Sequence, residues 1–126
     1  MPFRLLADEN ISHKSVSACC RISPGFPIVH IADWEEGSWL GMDDAALLLA
    51  CAGAKRVLIA FDRATLPWHA GQLLRAGHDH GGLLLFRRMV HSTDYGQQAR
   101  LVTTLWKQEG KDWDWLNRIV YLPKSP

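Results

Sequence analysis

The amino-acid sequence predicts an α/β protein with three layers, in which helices cover both faces of a mainly parallel sheet of four to five strands. Short apolar runs alternate along the chain with segments of helical periodicity. Parallel strands require crossover connections, which are usually helical, and right-handed crossovers place helices on the sheet. An unbroken apolar run is also typical of a strand that is buried on both faces.

Composition limits the class of protein. The chain has 126 residues, 48% of them hydrophobic and 21% charged, which predicts one globular domain over residues 1–126. Fourteen basic and thirteen acidic side chains give a net charge of +1, unlike a strongly basic nucleic-acid binder. The three cysteines match neither a disulfide framework nor a C-x-x-C motif, so we expect buried thiols. With no signal peptide or membrane span evident, we expect a cytoplasmic protein without membrane contact.

The first elements follow from apolar runs and from the residues that stop them. A strand is predicted from Phe3 to Ala7, and a helix from Ile11 to Ile22. The segment from Ser23 to Gly25 ends this helix, because proline disfavours helix in the preceding residue and glycine adopts left-handed conformations. A second strand is predicted from Phe26 to Ala32.

A loop then leads to the middle of the chain. The adjacent acids Asp43 and Asp44 open an apolar segment that ends before Gly53, a pattern that predicts a buried helix. The apolar run from Val57 to Phe61 predicts a third strand, which is followed by Asp62.

The last elements complete the alternation. Pro67 suits the start of a third helix. A fourth strand is predicted from Leu83 to Phe86, and a fourth helix, capped between Ser92 and Asp94, continues to Gln108. A last strand is predicted from Ile119 to Tyr121.

Acidic residues stand at the ends of these elements. Asp8 ends strand one, Asp62 ends strand three, and Asp43 starts the helix after strand two. In a parallel sheet these positions share one edge, where distant residues converge. Converging carboxylates repel one another unless a cation offsets their charge, and oxygen ligands favour Mg²⁺ or Mn²⁺. Each acid alone also has a structural alternative, as a helix cap or turn residue.

Three segments carry a family resemblance. The sequences LLADENIS, GMDDAALLLACAGAKRVLIAFDR and GGLLLFR, in this order and spacing, resemble an uncharacterised PIN-like family related to bacterial toxin nucleases. The similarity covers the chain from about Phe3 to Arg88. Its most specific part is the opening apolar strand that ends in Asp8, Glu9 and Asn10.

The resemblance implies a single PIN-like domain with a metal-dependent ribonuclease site, often the toxin of a toxin-antitoxin system. Asp8 would be the first metal ligand, Asp43 the acid at the helix start and Asp62 the acid after the third strand. Asp44 is the alternative to Asp43 in register, and Glu9 matches an acid that usually follows the first Asp. The implied partners are RNA and an antitoxin protein.

Two positions depart from the family pattern. Such proteins commonly have a hydroxyl residue two positions before the third acid and another Asp two positions after it, where this chain has Ala60 and Ala64. The loss of outer-shell partners can lower metal affinity or activity by about 10 to 100-fold. A catalytically weak or inactive PIN-like binding or regulatory module is therefore the alternative.

Candidate substrate contacts lie beside these acids. Asn10 can hold the turn after strand one or contact phosphate, and arginine suits phosphate because its guanidinium forms two parallel hydrogen bonds. The candidate arginines are Arg63, Arg87 and Arg88. Solvated surface charge is the structural alternative for all three.

Other classes are less well supported. Six histidines lack the spacing of a structural zinc site, and a flavodoxin-like phosphoacceptor would require a lysine where Arg87 follows strand four. The six tryptophans favour core or loop packing, with a homodimer or antitoxin interface as the alternative.

Overall fold

A computed structural model describes residues 3–62 and 64–124, which form one five-stranded sheet with helices on both faces. All neighbouring strands are parallel, in the order β2-β1-β3-β4-β5. The strands are β1 Leu5–Ala7, β2 Ile28–His30, β3 Val57–Ala60, β4 Leu83–Phe86 and β5 Ile119–Leu122. The predicted three-layer α/β/α class is confirmed.

Four α-helices connect the strands within the described residues. They are α1 His13–Ile22, α2 Asp44–Ala54, α3 Thr65–Arg75 and α4 Tyr95–Gln108. Side chains cap three of them, because Ser12, Asp43 and Asp94 each accept a hydrogen bond from a backbone amide in the first turn. No helix among the described residues is both long and apolar enough to cross a membrane.

Each face of the sheet has its own apolar core, because successive residues of a strand point to opposite faces. Leu5 and Ala7 of β1 point to the core that α1 and α4 cover. Leu6, between them, points to the core that α2 and α3 cover. The strands β1, β3 and β4 are buried throughout, which explains their unbroken apolar sequences.

The connection from β4 to β5 has the opposite hand to the other three connections. The chain moves toward one edge of the sheet from β1 to β2, and α1 of this connection lies on one face. It moves toward the other edge from β2 to β3, from β3 to β4 and from β4 to β5, and α2 and α3 lie on the opposite face. Yet α4 lies on the face of α1, not on the face of α3. Since right-handed crossovers dominate, this is the exceptional one, and it brings α4 against α1.

A buried polar contact joins these two helices. The Ser15 hydroxyl donates to the side-chain oxygen of Gln98, and the Gln98 amide donates to the His91 carbonyl at 2.9 Å. Ser15 and Gln98 are both buried. Their hydrogen bonds satisfy polar groups that would otherwise be costly to bury, and they fix α1 relative to α4.

Three helix boundaries differ from the sequence prediction: α1 begins at His13 rather than Ile11, and the end of α2 and the start of α3 also differ. Gly53 lies inside α2, which ends at Ala54 and is followed by the capping residue Lys55 with a φ of 57°. Pro67 lies in the first turn of α3, which begins at Thr65. Proline is tolerated there because the first turn has amides without helical acceptors. The sequence prediction missed the end of α2 because a non-glycine residue in a left-handed conformation has no strong local signature.

The cysteines and tryptophans divide between core and surface. Cys19 and Cys51 are buried thiols, as predicted, but Cys20 is exposed. Trp115 is fully buried and donates from its ring nitrogen to the Gly110 carbonyl at 2.7 Å. Trp68, by contrast, is 58% exposed. Core packing therefore accounts for Trp115 but not for Trp68.

Candidate functional site

The candidate site lies where the strand order of the sheet reverses. The chain leaves β1 toward β2 on one side, whereas β3 lies on the other side of β1. Open α/β sheets bind ligands at this switch point, outside the carboxyl ends of the strands. Asp8 follows β1 and Asp62 lies just beyond β3. The Asp8 backbone amide donates to the Ile59 carbonyl at 3.0 Å, which joins the two strand ends directly.

Asp8 is half-buried among other acids. Burial raises the pKa of its carboxyl group above the ordinary value, and the charges of Glu9, Asp44 and Asp62 raise it further, although a hydrogen bond from the Glu9 backbone opposes them. A raised pKa means that the ionised form is poorly stabilised. The structure therefore brings together, in electrostatic contact, acids that are distant in sequence.

Asp43 and Asp44 have different roles. The Asp43 side chain is exposed and accepts a hydrogen bond from the Ala46 amide at 2.9 Å, which caps α2. Asp44 is partly buried in the first turn of α2, and its charge acts on Asp8. Of the two register alternatives, Asp44 is thus the one whose charge contributes to raising the pKa of Asp8.

Asp62 is held by the start of α3. Its Oδ1 accepts from the amides of Ala64 and Thr65 at 2.9 and 2.8 Å, and its Oδ2 accepts from the Thr65 hydroxyl at 2.6 Å. Partial burial raises the pKa of Asp62, but these hydrogen bonds and one from the Leu66 amide outweigh it and leave the pKa below its usual range. Asp62 is therefore a fixed anion.

Thr65 is a site residue that the sequence analysis missed. It supplies a hydroxyl group to the third acid, although the position two before that acid is Ala60. The signal was the Asp itself, since an Asp side chain near the start of a helix commonly accepts hydrogen bonds from nearby backbone amides.

Glu9 and Asn10 lie on the exposed side of the turn after β1. The Glu9 Oε1 atom accepts from the Gly41 amide at 2.8 Å, so this acid anchors the loop that precedes α2. Asn10 is exposed in the turn before α1. Buried His30 supports the same turn, because its Nε2 lies 2.7 Å from the Ile11 carbonyl and its Nδ1 accepts from the Ala32 amide.

The candidate arginines have different surroundings. Arg63 lies outside the described residues. Arg87 donates from Nε to the Pro123 carbonyl at 2.6 Å and lies over the Tyr121 ring, so it contacts the C-terminal segment. Arg88 is exposed. The position after β4 that a phosphoacceptor would fill with lysine thus holds an arginine that contacts the main chain, although the strand order is the flavodoxin-like one.

The acids have the donor chemistry of a hard-cation site, since carboxylate oxygens suit Mg²⁺ and Mn²⁺. Among the residues that the structure describes, however, no group of three or more His, Cys, Asp or Glu side chains is arranged so that it could hold a metal ion. Asp8, Asp44 and Asp62 fit a cation by charge and donor type, and the repulsion at Asp8 is the physical reason why they would gain from one.

Comparisons with protein-family models, with curated proteins and with solved structures found no match. The class that the structure defines is therefore an α/β domain with acids at the switch point of a parallel sheet. The resemblance to PIN-like proteins rests on the sequence motifs.

Proposed function

We propose that this chain is a PIN-like, metal-dependent phosphodiesterase that cleaves RNA at the acids around Asp8. The observation that carries the proposal is the placement of Asp8, Asp44 and Asp62 from three elements at one edge of the sheet. Burial is the main cause of the raised pKa of Asp8, and the charges of Asp44 and Asp62 add to it. Repelling carboxylates are costly to a fold. Their placement at the switch point is best explained by a positively charged ligand, for which we propose Mg²⁺ or Mn²⁺.

The residues at the carboxyl edge of the sheet would have different roles in the proposed reaction. Asp8 and Asp44 would hold the cation, and Asp62, fixed by Thr65 and the amides of α3, would supply an oriented negative charge. When bound there, a cation would supply a water of lowered pKa and would offset negative charge on the phosphate. Asn10, in the turn after β1, is available to contact phosphate.

The proposal extends to the biological setting. We propose that the protein acts in the cytoplasm as the toxin of a toxin-antitoxin pair. Trp68 supports a protein partner, because tryptophan is enriched in the centre of interfaces and this side chain is 58% exposed on α3. An antitoxin and a second copy of the chain are the two candidate partners for that surface.

A non-catalytic PIN-like binding or regulatory module is the second candidate. Both carboxylate oxygens of Asp62 already accept hydrogen bonds. Ala60 and Ala64 leave no outer acid or hydroxyl at the two positions where the family usually has them. This candidate predicts that RNA is bound or ignored but not cut.

A cleavage assay separates the two candidates. Labelled single-stranded RNA and DNA are incubated with Mn²⁺ and the wild-type protein, Asp8→Asn or Asp44→Asn. We expect Mn²⁺-dependent cleavage of RNA by the wild type and a loss of at least 100-fold in both variants, since each removes a charge from the proposed cation site.

Asp43→Asn is the matched control, because asparagine also caps helices and Asp43 neighbours Asp44 in sequence. We expect this variant to keep activity within about threefold of the wild type. Equal cleavage by the wild type, Asp8→Asn and Asp44→Asn would exclude the proposed site. Absence of cleavage by a wild-type protein that is folded would favour the non-catalytic module.

A further inference from the structure

We propose that a groove between α1 and α4 binds the phosphate backbone of single-stranded RNA and that Tyr95 stacks on a base. The lining side chains and backbone of this α1–α4 groove come from His13, Lys14, Ser17, Ala18, Arg21, Tyr95 and Gly96. The choice of RNA rests on the proposed function, whereas the choice of this groove rests on its charge and position.

The position of the α1–α4 groove follows from the topology of the sheet. α1 begins shortly after β1, and α4 begins after β4, so both helices start at the carboxyl edge that holds Asp8. The unusual hand of the β4 to β5 connection puts α4 on the same face as α1. The groove therefore begins at the same edge of the sheet as the candidate site and runs along α1 toward Arg21.

The charge of the groove is positive. Its charged lining residues are Lys14 and Arg21, with His13 in addition when protonated, and no acid is among the lining residues that the structure describes. The Arg100 guanidinium also lies close to Gly96: one of its nitrogens is 3.1 Å from the position that a Cβ atom would take at Gly96. The net charge of the whole chain is only +1, so these cations are a local concentration. Such a patch attracts polyanions.

Two acids lie close to this groove, and both have partners. Asp33 lies 3.2 Å from the Nε2 atom of His13, and Asp94 caps α4 through the Gln97 amide at 3.1 Å. Neither contact involves Lys14 or Arg21, so both of these cations remain available to phosphate.

An aromatic ring distinguishes the groove from a simple basic patch. Tyr95 is partly buried, and the Lys14 ammonium lies 5.5 Å from the centre of its ring. Aromatic rings beside cations are the pattern by which proteins hold single strands, since bases stack on the ring while phosphates pair with the cations. The groove encloses about 470 Å³, within the range of ligand clefts.

Binding of a labelled single-stranded RNA decamer, measured by fluorescence anisotropy in EDTA at low salt, tests the inference without cleavage. We expect the charge-reversing pair Lys14→Glu and Arg21→Glu to weaken binding at least tenfold. We expect Tyr95→Ala to weaken it about fivefold or more, and Tyr95→Phe to retain it, because stacking needs the ring and not the hydroxyl.

A matched control reverses the same amount of charge elsewhere. Arg75 and Lys107 are exposed on α3 and α4 and do not line the groove. Arg75→Glu with Lys107→Glu should bind RNA within about twofold of the wild type. The inference is overturned if the groove pair binds as tightly as this control pair, or if a labelled oligoglutamate peptide binds as tightly as the RNA.

The salt dependence provides a reading that a folding defect would not mimic. The milder pair Lys14→Gln and Arg21→Gln should lower the slope of log affinity against log salt by about 1.4, as for two lost phosphate contacts. An unchanged slope would overturn the inference even if the charge-reversed pair fails to fold.

Cleavage assays with Mn²⁺ separate this inference from the proposed function. If the wild type binds RNA through the groove but does not cleave it with Mn²⁺, the groove stands and the proposed function fails. If the protein with Lys14→Glu and Arg21→Glu cleaves RNA with an unchanged KM, the proposed function stands and RNA binding by the groove is excluded.

Discussion

At the scale of single residues, the carboxyl group of Asp8 is held where its ionisation works against folding. Burial and three neighbouring acids raise its pKa above the model-peptide value of 3.8. An acid whose pKa is higher in the folded state than in the unfolded state lowers stability as the pH rises through that range. This loss of folding stability is absent below about pH 3.8 and reaches its full size once Asp8 is fully ionised.

Asp8→Asn should therefore stabilise the metal-free protein at pH 7. Asparagine keeps the size of the side chain and an oxygen for the Glu9 backbone amide but removes the charge. We expect a rise in Tm of about 2–4 °C at pH 7, which shrinks toward zero as the pH falls to 3.5. Thermal unfolding in EDTA at the two pH values measures it. A variant less stable than the wild type at pH 7 would contradict the claim that the Asp8 charge destabilises the fold.

At the scale of elements, the loop between β2 and α2 is held in an unusual conformation. Glu35, Glu36 and Gly37 all have positive φ values, of 50°, 56° and 78°. Non-glycine residues adopt this conformation at some cost, so contacts elsewhere must maintain it. The hydrogen bond from the Gly41 amide to Glu9 is one such contact, and it connects the loop to the turn that contains Asp8.

Glu9→Ala should release this loop. We expect hydrogen exchange of the Gly41 amide to become about tenfold faster, because the amide loses its acceptor. Glu9→Gln is the control, since its side-chain oxygen can accept the same hydrogen bond. NMR exchange rates of the two variants decide the point. Equal protection of Gly41 in Glu9→Ala and in the wild type would mean that other contacts hold the loop.

The same scale shows what the sequence could predict. The β4 strand from Leu83 to Phe86 was predicted correctly, and Asp94, which caps α4, lies within the predicted capping segment from Ser92 to Asp94. An unbroken apolar run and a group of capping side chains are local signals. The assignment of Asp44 rather than Asp43 to the neighbourhood of Asp8 was not decided by the sequence. Two adjacent acids at a helix start differ only in helical phase, which depends on where the cap falls.

At the scale of the whole molecule, the parallel sheet and its acidic edge were predictable, whereas the position of α4 was not. Alternating apolar and helical segments predict crossovers, and the usual hand would place α4 beside α3. Packing against α1, with the buried contact between Ser15 and Gln98, accompanies the other hand. The α1–α4 groove depends on the hand of the β4 to β5 connection, so no local sequence motif predicted it.

Mn²⁺ binding tests whether the acids around Asp8 form a cation site. Isothermal titration of Mn²⁺ into the metal-free wild type and into Asp8→Asn, at pH 7, compares the two affinities. We expect saturable binding by the wild type and at least tenfold weaker binding by the variant, because the variant lacks the half-buried carboxylate whose charge the cation would offset. Equal affinity of the two proteins, or no binding by the wild type, would contradict it.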